Sequence, residues 1–191
     1  MNTMLSKRIV FIALVFTIGS LSAQNLSFYK ENITMKIEGD FFYVTGIYYL
    51  QYSGQEMSTL VYPYPIDAQY GEVDSVKIYD LSSNEYIEPI YNKKSGTVFI
   101  IQGNSTGGII LQISYRQKLL ANKAEYILTS TITWGKPLDK ADYQLIIPKD
   151  YTIVNFSIPP DESIINEKEK VYYWSKEYYM PDRNMVFEFK K

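Results

Sequence analysis

Hydrophobic and polar residues alternate along most of this chain with a period of two. Over residues 32–38, Ile33, Met35 and Ile37 fall on one side and Asn32, Thr34, Lys36 and Glu38 on the other. That is the spacing of a β-strand with one buried face. Glu38-Gly39-Asp40 is a turn signal, and residues 41–52 supply the returning strand of a hairpin. Gly46 inside that strand predicts a bulge or a close approach to the backbone. Further strands are predicted at 59–62, 75–81 (Val76 and Ile78 inward), 86–91, 97–102 and 109–116. The C-terminal half adds 126–134, 143–147, 152–158, 171–175 and 185–190. Residues 161–170, DESIINEKEK, fit either a solvated hairpin tip or a short helical turn. No window of a dozen residues carries a 3.6 period, so very little helix is expected. Many short strands with regularly spaced turn signals predict an all-β, antiparallel, two-sheet β-sandwich of immunoglobulin-like type. Residues 24–191 are expected to form one domain, with a division near 135–140 as the alternative.

Composition sharpens this picture. Nineteen tyrosines and nine phenylalanines favour strand. Lys7 and Arg8 precede an apolar stretch, residues 9–21, which is followed by Ser22 and Ala23. That order is a secretory signal peptide over residues 1–23, cleaved after Ala23. The stretch is shorter than the roughly 18–20 residues that span a bilayer, and no later segment could cross as a helix. A secreted or periplasmic, cell-envelope setting follows, and a bacterial one because the chain has no cysteine for disulfides. Formal net charge is −2, and loss of the leader's two cations makes the remainder more acidic, so nucleic acid is a poor partner.

The absence of histidine and cysteine removes the Ser-His-Asp triad, the Cys-His pair and the usual zinc sites. No glycine-rich loop joins a strand to a helix, so no nucleotide cofactor is expected. A pair of carboxylates, as in glycoside hydrolysis, is the enzymatic route left open. Asp67, Glu72 and Asp74 share one loop and form a candidate Ca²⁺ site; a solvated loop explains them equally. Tyr62, Tyr64, Tyr70, Trp134 and Trp174 are candidates for a stacking platform for a sugar or peptide, against ordinary packing of large rings. Long, charge-poor strands also offer edges for strand addition by another protein.

Within Thr59 to Gly71, Tyr62-Pro63-Tyr64-Pro65 ends a strand, because proline fixes φ and donates no ladder bond. Tyr62 and Tyr64 should stand stiffly on one side. The run from Asn32 to Asp80 resembles the vault protein inter-alpha-trypsin (VIT) type of β-sandwich, in which a hairpin is followed by a strand ending in an aromatic-Pro-x-Pro turn. Here Tyr62, Pro63, Tyr64 and Pro65 match the turn, and Val73, Val76 and Ile78 the strand after it. The resemblance implies a non-catalytic module of extracellular or envelope assemblies. The von Willebrand factor A domain that often follows in that family has no counterpart after Trp134. The expectation is therefore an exported, non-catalytic module for protein interaction or envelope structure, with carbohydrate binding or carboxylate hydrolysis as alternatives.

Overall fold

The computed structural model describes residues 26–52, 57–65, 69–92, 96–102 and 108–191. The segment expected to be a signal peptide, Asp67 and most of the 92–96 and 103–108 loops therefore lie outside the described residues. The strands are β1 (Leu26–Glu38), β2 (Phe41–Tyr52), β3 (Met57–Tyr62), β4 (Val73–Asp80), β5 (Glu85–Ile87), β6 (Ile90–Asn92) and β7 (Gly96–Gln102). They continue with β8 (Gly108–Lys118), β9 (Lys123–Tyr126), β10 (Leu138–Pro148), β11 (Thr152–Phe156), β12 (Glu162–Ile165), β13 (Glu169–Tyr179) and β14 (Met185–Lys190).

Eight strands form one large sheet in the order β12-β13-β10-β1-β2-β8-β4-β5. Residues directly opposite one another share a face, and the rows show which face is buried. Ile33 lies beside Gly46 and Ile113, Met35 beside Val44 and Tyr115, and Ile37 beside Phe42 and Gln117. All nine are buried, whereas the neighbouring row of Lys36, Tyr43 and Arg116 is only half-buried. The buried face is covered by two three-stranded sheets, β11-β14-β9 and β3-β7-β6. Phe42 meets Phe187 of β14, and Tyr115 meets Tyr62 of β3. The result is the expected all-β sandwich-like arrangement, with the second layer split in two.

Several details differ from the sequence reading. The strand expected at 86–91 is two, β5 in the large sheet and β6 in a small one. β1 and β10 pair in parallel, from Lys30↔Lys140 to Lys36↔Ile146, among otherwise antiparallel neighbours. After β8 the chain leaves for β9 in the smaller sheet and returns to β10 from the end at which β1 starts, a crossover that only a parallel pair needs. Residues 126–134 are not one strand: β9 stops at Tyr126 and a 3₁₀ turn occupies Thr129–Trp134. Asn184 Oδ1 accepts from the backbone N–H groups of Leu128 and Thr129 and from the Thr129 hydroxyl, while Thr133 Oγ1 donates to the Ser130 carbonyl. Such side-chain partners compete with a ladder for the backbone. The turn ends at Gly135, whose φ of +69° is left-handed. Finally, β4 begins at Val73 rather than Ser75, which sits at φ +56° in a bulge between Asp74 and Lys77.

Of the two readings of residues 161–170, the hairpin holds. β12 pairs with β13, and Asn166 Oδ1 accepts from the N–H groups of Lys168 and Glu169 at the tip. The long strands β1, β2 and β8 are interior to the large sheet. Its edges are the short β5 and β12, the form in which sheets blunt their margins.

Candidate functional site

The split second layer leaves a cavity of about 250 Å³ over the large sheet. Its floor is Phe28 and Glu31 of β1, Tyr48 and Leu50 of β2, and Leu111 and Ile113 of β8. One wall is the end of β3 through Pro63, with Phe99 of β7; the other runs from Tyr126 to Trp134 through the 3₁₀ turn. A benzene ring fits a cavity of about 150 Å³, so this one has room for such a ring and a short polar arm.

Glu31 is the acid among the described lining residues, and it is 2% exposed. Tyr143 of β10 donates to its Oε1 at 2.5 Å, and the Tyr126 phenol is close enough to lower its pKa. Beyond these, the Tyr48 hydroxyl lies 2.9 Å from that of Tyr126 and 2.6 Å from that of Tyr62. No Lys or Arg among the described residues pairs with Glu31. Burial pushes its pKa up from 4.5 to about 7, against the lowering effect of the two phenols. Burial likewise holds Tyr48, Tyr62, Tyr126 and Tyr143 well above the ordinary phenol value. Glu31 is thus the group of this cluster that changes charge near neutrality.

Each phenol has one proton to give. When Glu31 is ionised, Tyr143 spends its proton on it. Tyr62, Tyr48 and Tyr126 share two further hydrogen bonds, in each of which either hydroxyl can be the donor. The ionised carboxylate brings lone pairs and negative charge to the cavity.

Local sequence makes this possible. Gly46 is the close approach expected from its position: a Cβ there would collide with the Tyr48 ring and hydroxyl, so its absence lets Tyr48 fold back over its own strand. The Tyr-Pro run is fixed from below by Gln117, 1% exposed, whose Nε2 donates to the carbonyls of Pro65 at 2.8 Å and Gly71 at 3.0 Å. Tyr62 and Tyr64 do lie together, with ring centroids 5.4 Å apart, and both pack on Tyr115.

The proposed open platform is not assembled. Tyr62 and Trp134 line the cavity, but Tyr64, Tyr70 and Trp174 are 2%, 8% and 1% exposed. Tyr64 donates to Thr97 Oγ1 at 2.6 Å. Trp174 donates to the Ile158 carbonyl and packs between Phe156 and Phe187. Large rings were drawn inward because their burial holds together a sandwich that has no disulfide. In the acidic loop, Asp74 is taken up by Arg116 in a two-pronged pair, both bonds 2.7 Å, which holds its carboxyl below the usual range. Glu72 is exposed, and no group of three candidate metal ligands occurs among the described residues.

Glu31, Tyr48, Tyr126 and Tyr143 escaped the sequence reading. A signal for Glu31 existed: it is in phase with Ile33, Met35 and Ile37, a charged residue on the apolar side of the strand. The tyrosines carried no such mark among nineteen.

No family model matches the chain, and no curated protein matches it. Solved structures share its fold. A Legionella pneumophila protein called a "putative nutrient binding protein" superposes with a TM-score of 0.65 at 8% identity, covering 86% of this chain and 67% of that one. An M1 zinc metallopeptidase from Deinococcus radiodurans gives a TM-score of 0.51 at 8% identity, over 86% of this chain and 43% of the peptidase. At such identity the likeness is one of fold.

Proposed function

We propose that this protein is an exported, non-catalytic binding module whose site is the cavity between the large sheet and the split second layer. The ligand is a small molecule with an apolar body of about the size of a benzene ring and one polar group directed at Glu31 and its tyrosines. The observation that carries this reading is a buried carboxyl and a joined set of phenols in a cavity lined mainly by aromatic and aliphatic side chains. Pockets that bind small molecules have this makeup, an apolar lining with a few converging polar groups. Glu31 is the one carboxyl among the described lining residues, which supports a non-catalytic role, since glycoside hydrolysis needs two. The fold shared with a protein called nutrient-binding, and the resemblance of the Tyr-Pro run to VIT modules, agree with a binding role. The leader at residues 1–23 supports export, and mass spectrometry of processed protein should find Gln24 at its N-terminus.

Trp134 provides the test, since it lines the cavity while Trp174 is buried elsewhere in the core. Titration with benzyl alcohol should change tryptophan emission saturably. The change should vanish in Trp134→Phe and in Ile113→Phe, which fills the cavity floor, with circular dichroism unaltered. Emission that never saturates, or saturation unaltered in Ile113→Phe, refutes the site.

A further inference from the structure

We infer that the cavity selects a ligand whose polar group is a primary ammonium, held by the Glu31 carboxylate beneath an aromatic collar. This rests on the cavity being the binding site and specifies what it takes. Three observations favour a cation over a neutral or acidic group.

The first is charge. Glu31 lines the cavity, is 2% exposed, and forms no ion pair with any Lys or Arg among the described residues. A buried carboxylate without a counter-charge is costly, and a ligand ammonium supplies that charge from the cavity side. The second is the direction of the hydrogen bonds. Tyr143 commits its proton to Glu31 Oε1, and the carboxylate itself has only lone pairs to offer. An ammonium carries three donors and no acceptor, which complements a carboxylate. A carboxylate ligand would meet like charge at Glu31. The third is the surrounding rings. Phe28, Tyr48, Tyr62, Tyr126 and Trp134 all line the space, and Phe28 lies 5.9 Å from both Tyr48 and Trp134, centroid to centroid. Aromatic faces attract a desolvated cation.

A pH dependence follows from the same geometry. Glu31 is faced by Tyr48 of β2, Tyr126 of β9, Tyr143 of β10 and Tyr179 of β13, with Tyr62 of β3 behind Tyr48, all phenols held above their ordinary value. Between pH 6 and 8 the proton that moves in this cluster belongs to Glu31. The ammonium binds the ionised form, so its affinity should rise with pH and its binding should release a proton.

The experiment compares three probes of one size, benzylamine, benzyl alcohol and toluene, by calorimetry on the processed protein at pH 6 and 8. Benzylamine should bind at least ten-fold more tightly than benzyl alcohol at pH 8. Its affinity should fall about ten-fold at pH 6, where a carboxyl of pKa near 7 is mostly protonated. Benzyl alcohol and toluene should bind nearly independently of pH. In Glu31→Gln the benzylamine preference and its pH dependence should disappear while toluene still binds. If that variant does not fold, the wild-type pH profiles of the three probes decide alone. Benzyl alcohol or toluene binding as well as benzylamine, with no pH dependence, overturns the ammonium and leaves the cavity standing. Failure of all three probes to bind overturns both.

Discussion

Glu31 illustrates how one side chain sets the pH response of a fold. Its carboxyl titrates near 4.5 when exposed and about 7 in the native state, because burial disfavours the charged form. Between those values the folded chain holds a proton that the unfolded chain has released. This contribution to stability is therefore fully present below about pH 4.5, declines as pH rises toward 7, and is constant above. It amounts to on the order of 3 kcal/mol. Urea unfolding at pH 5 and 8 should show the wild type losing most of that difference relative to Glu31→Gln; parallel pH profiles for the two proteins would show that Glu31 is not the responsible group. Gly46 makes a second residue-scale case. A methyl group at this position meets the Tyr48 ring, so Gly46→Ala should cost about 1–3 kcal/mol by overcrowding. In a Tyr48→Ala background the same change should cost far less, and equal costs in the two backgrounds would mean the strain lies in the backbone instead. The glycine was conspicuous in the sequence, in a strand where glycine is out of place. Its partner was not, because any of several neighbouring tyrosines could have filled that space.

The hairpin of β1 and β2 was legible because its alternation is local and Gly39, at φ +58°, supplies a turn that few other residues adopt easily. The segment after Tyr126 was misread for the opposite reason. Its residues alternate well enough for a strand, and the deciding partner, Asn184, stands far along the chain. Asn184 accepts three hydrogen bonds from Leu128 and Thr129 and donates through Nδ2 to Glu125 Oε1 at 2.7 Å. It therefore couples the loop before β14 to the wall of the cavity. Asn184→Ala leaves those donors without a partner and should destabilise the fold by about 1–3 kcal/mol. Hydrogen exchange at the Leu128 and Thr129 amides should accelerate more than at the amides of β2. Uniform acceleration across both would indicate that Asn184 acts only on global stability.

At the scale of the whole molecule, the sandwich class was readable from alternation and turn spacing, since both are properties of neighbouring residues. The divided second layer and the parallel β1–β10 pair were not, because they depend on which distant strands meet. That difference should reappear in the order of folding. Met35 has Val44 on one side, reached through a tight hairpin turn, and Leu145 on the other, reached only after most of the chain has been laid down. All three are essentially fully buried, at 0%, 1% and 0% exposure. Truncating either neighbour to alanine removes core contacts, more for Leu145, on the order of 2–5 kcal/mol. Closing the long loop costs entropy before its contacts can repay it, so the hairpin pair should be formed in the transition state and the parallel pair after it. Val44→Ala should then mainly slow refolding, and Leu145→Ala mainly speed unfolding, in chevron measurements on the processed protein. Refolding slowed equally by both would mean that the parallel crossover belongs to the nucleus, and that the cavity floor, made of β1, β2 and β8, is assembled with its far half already in place.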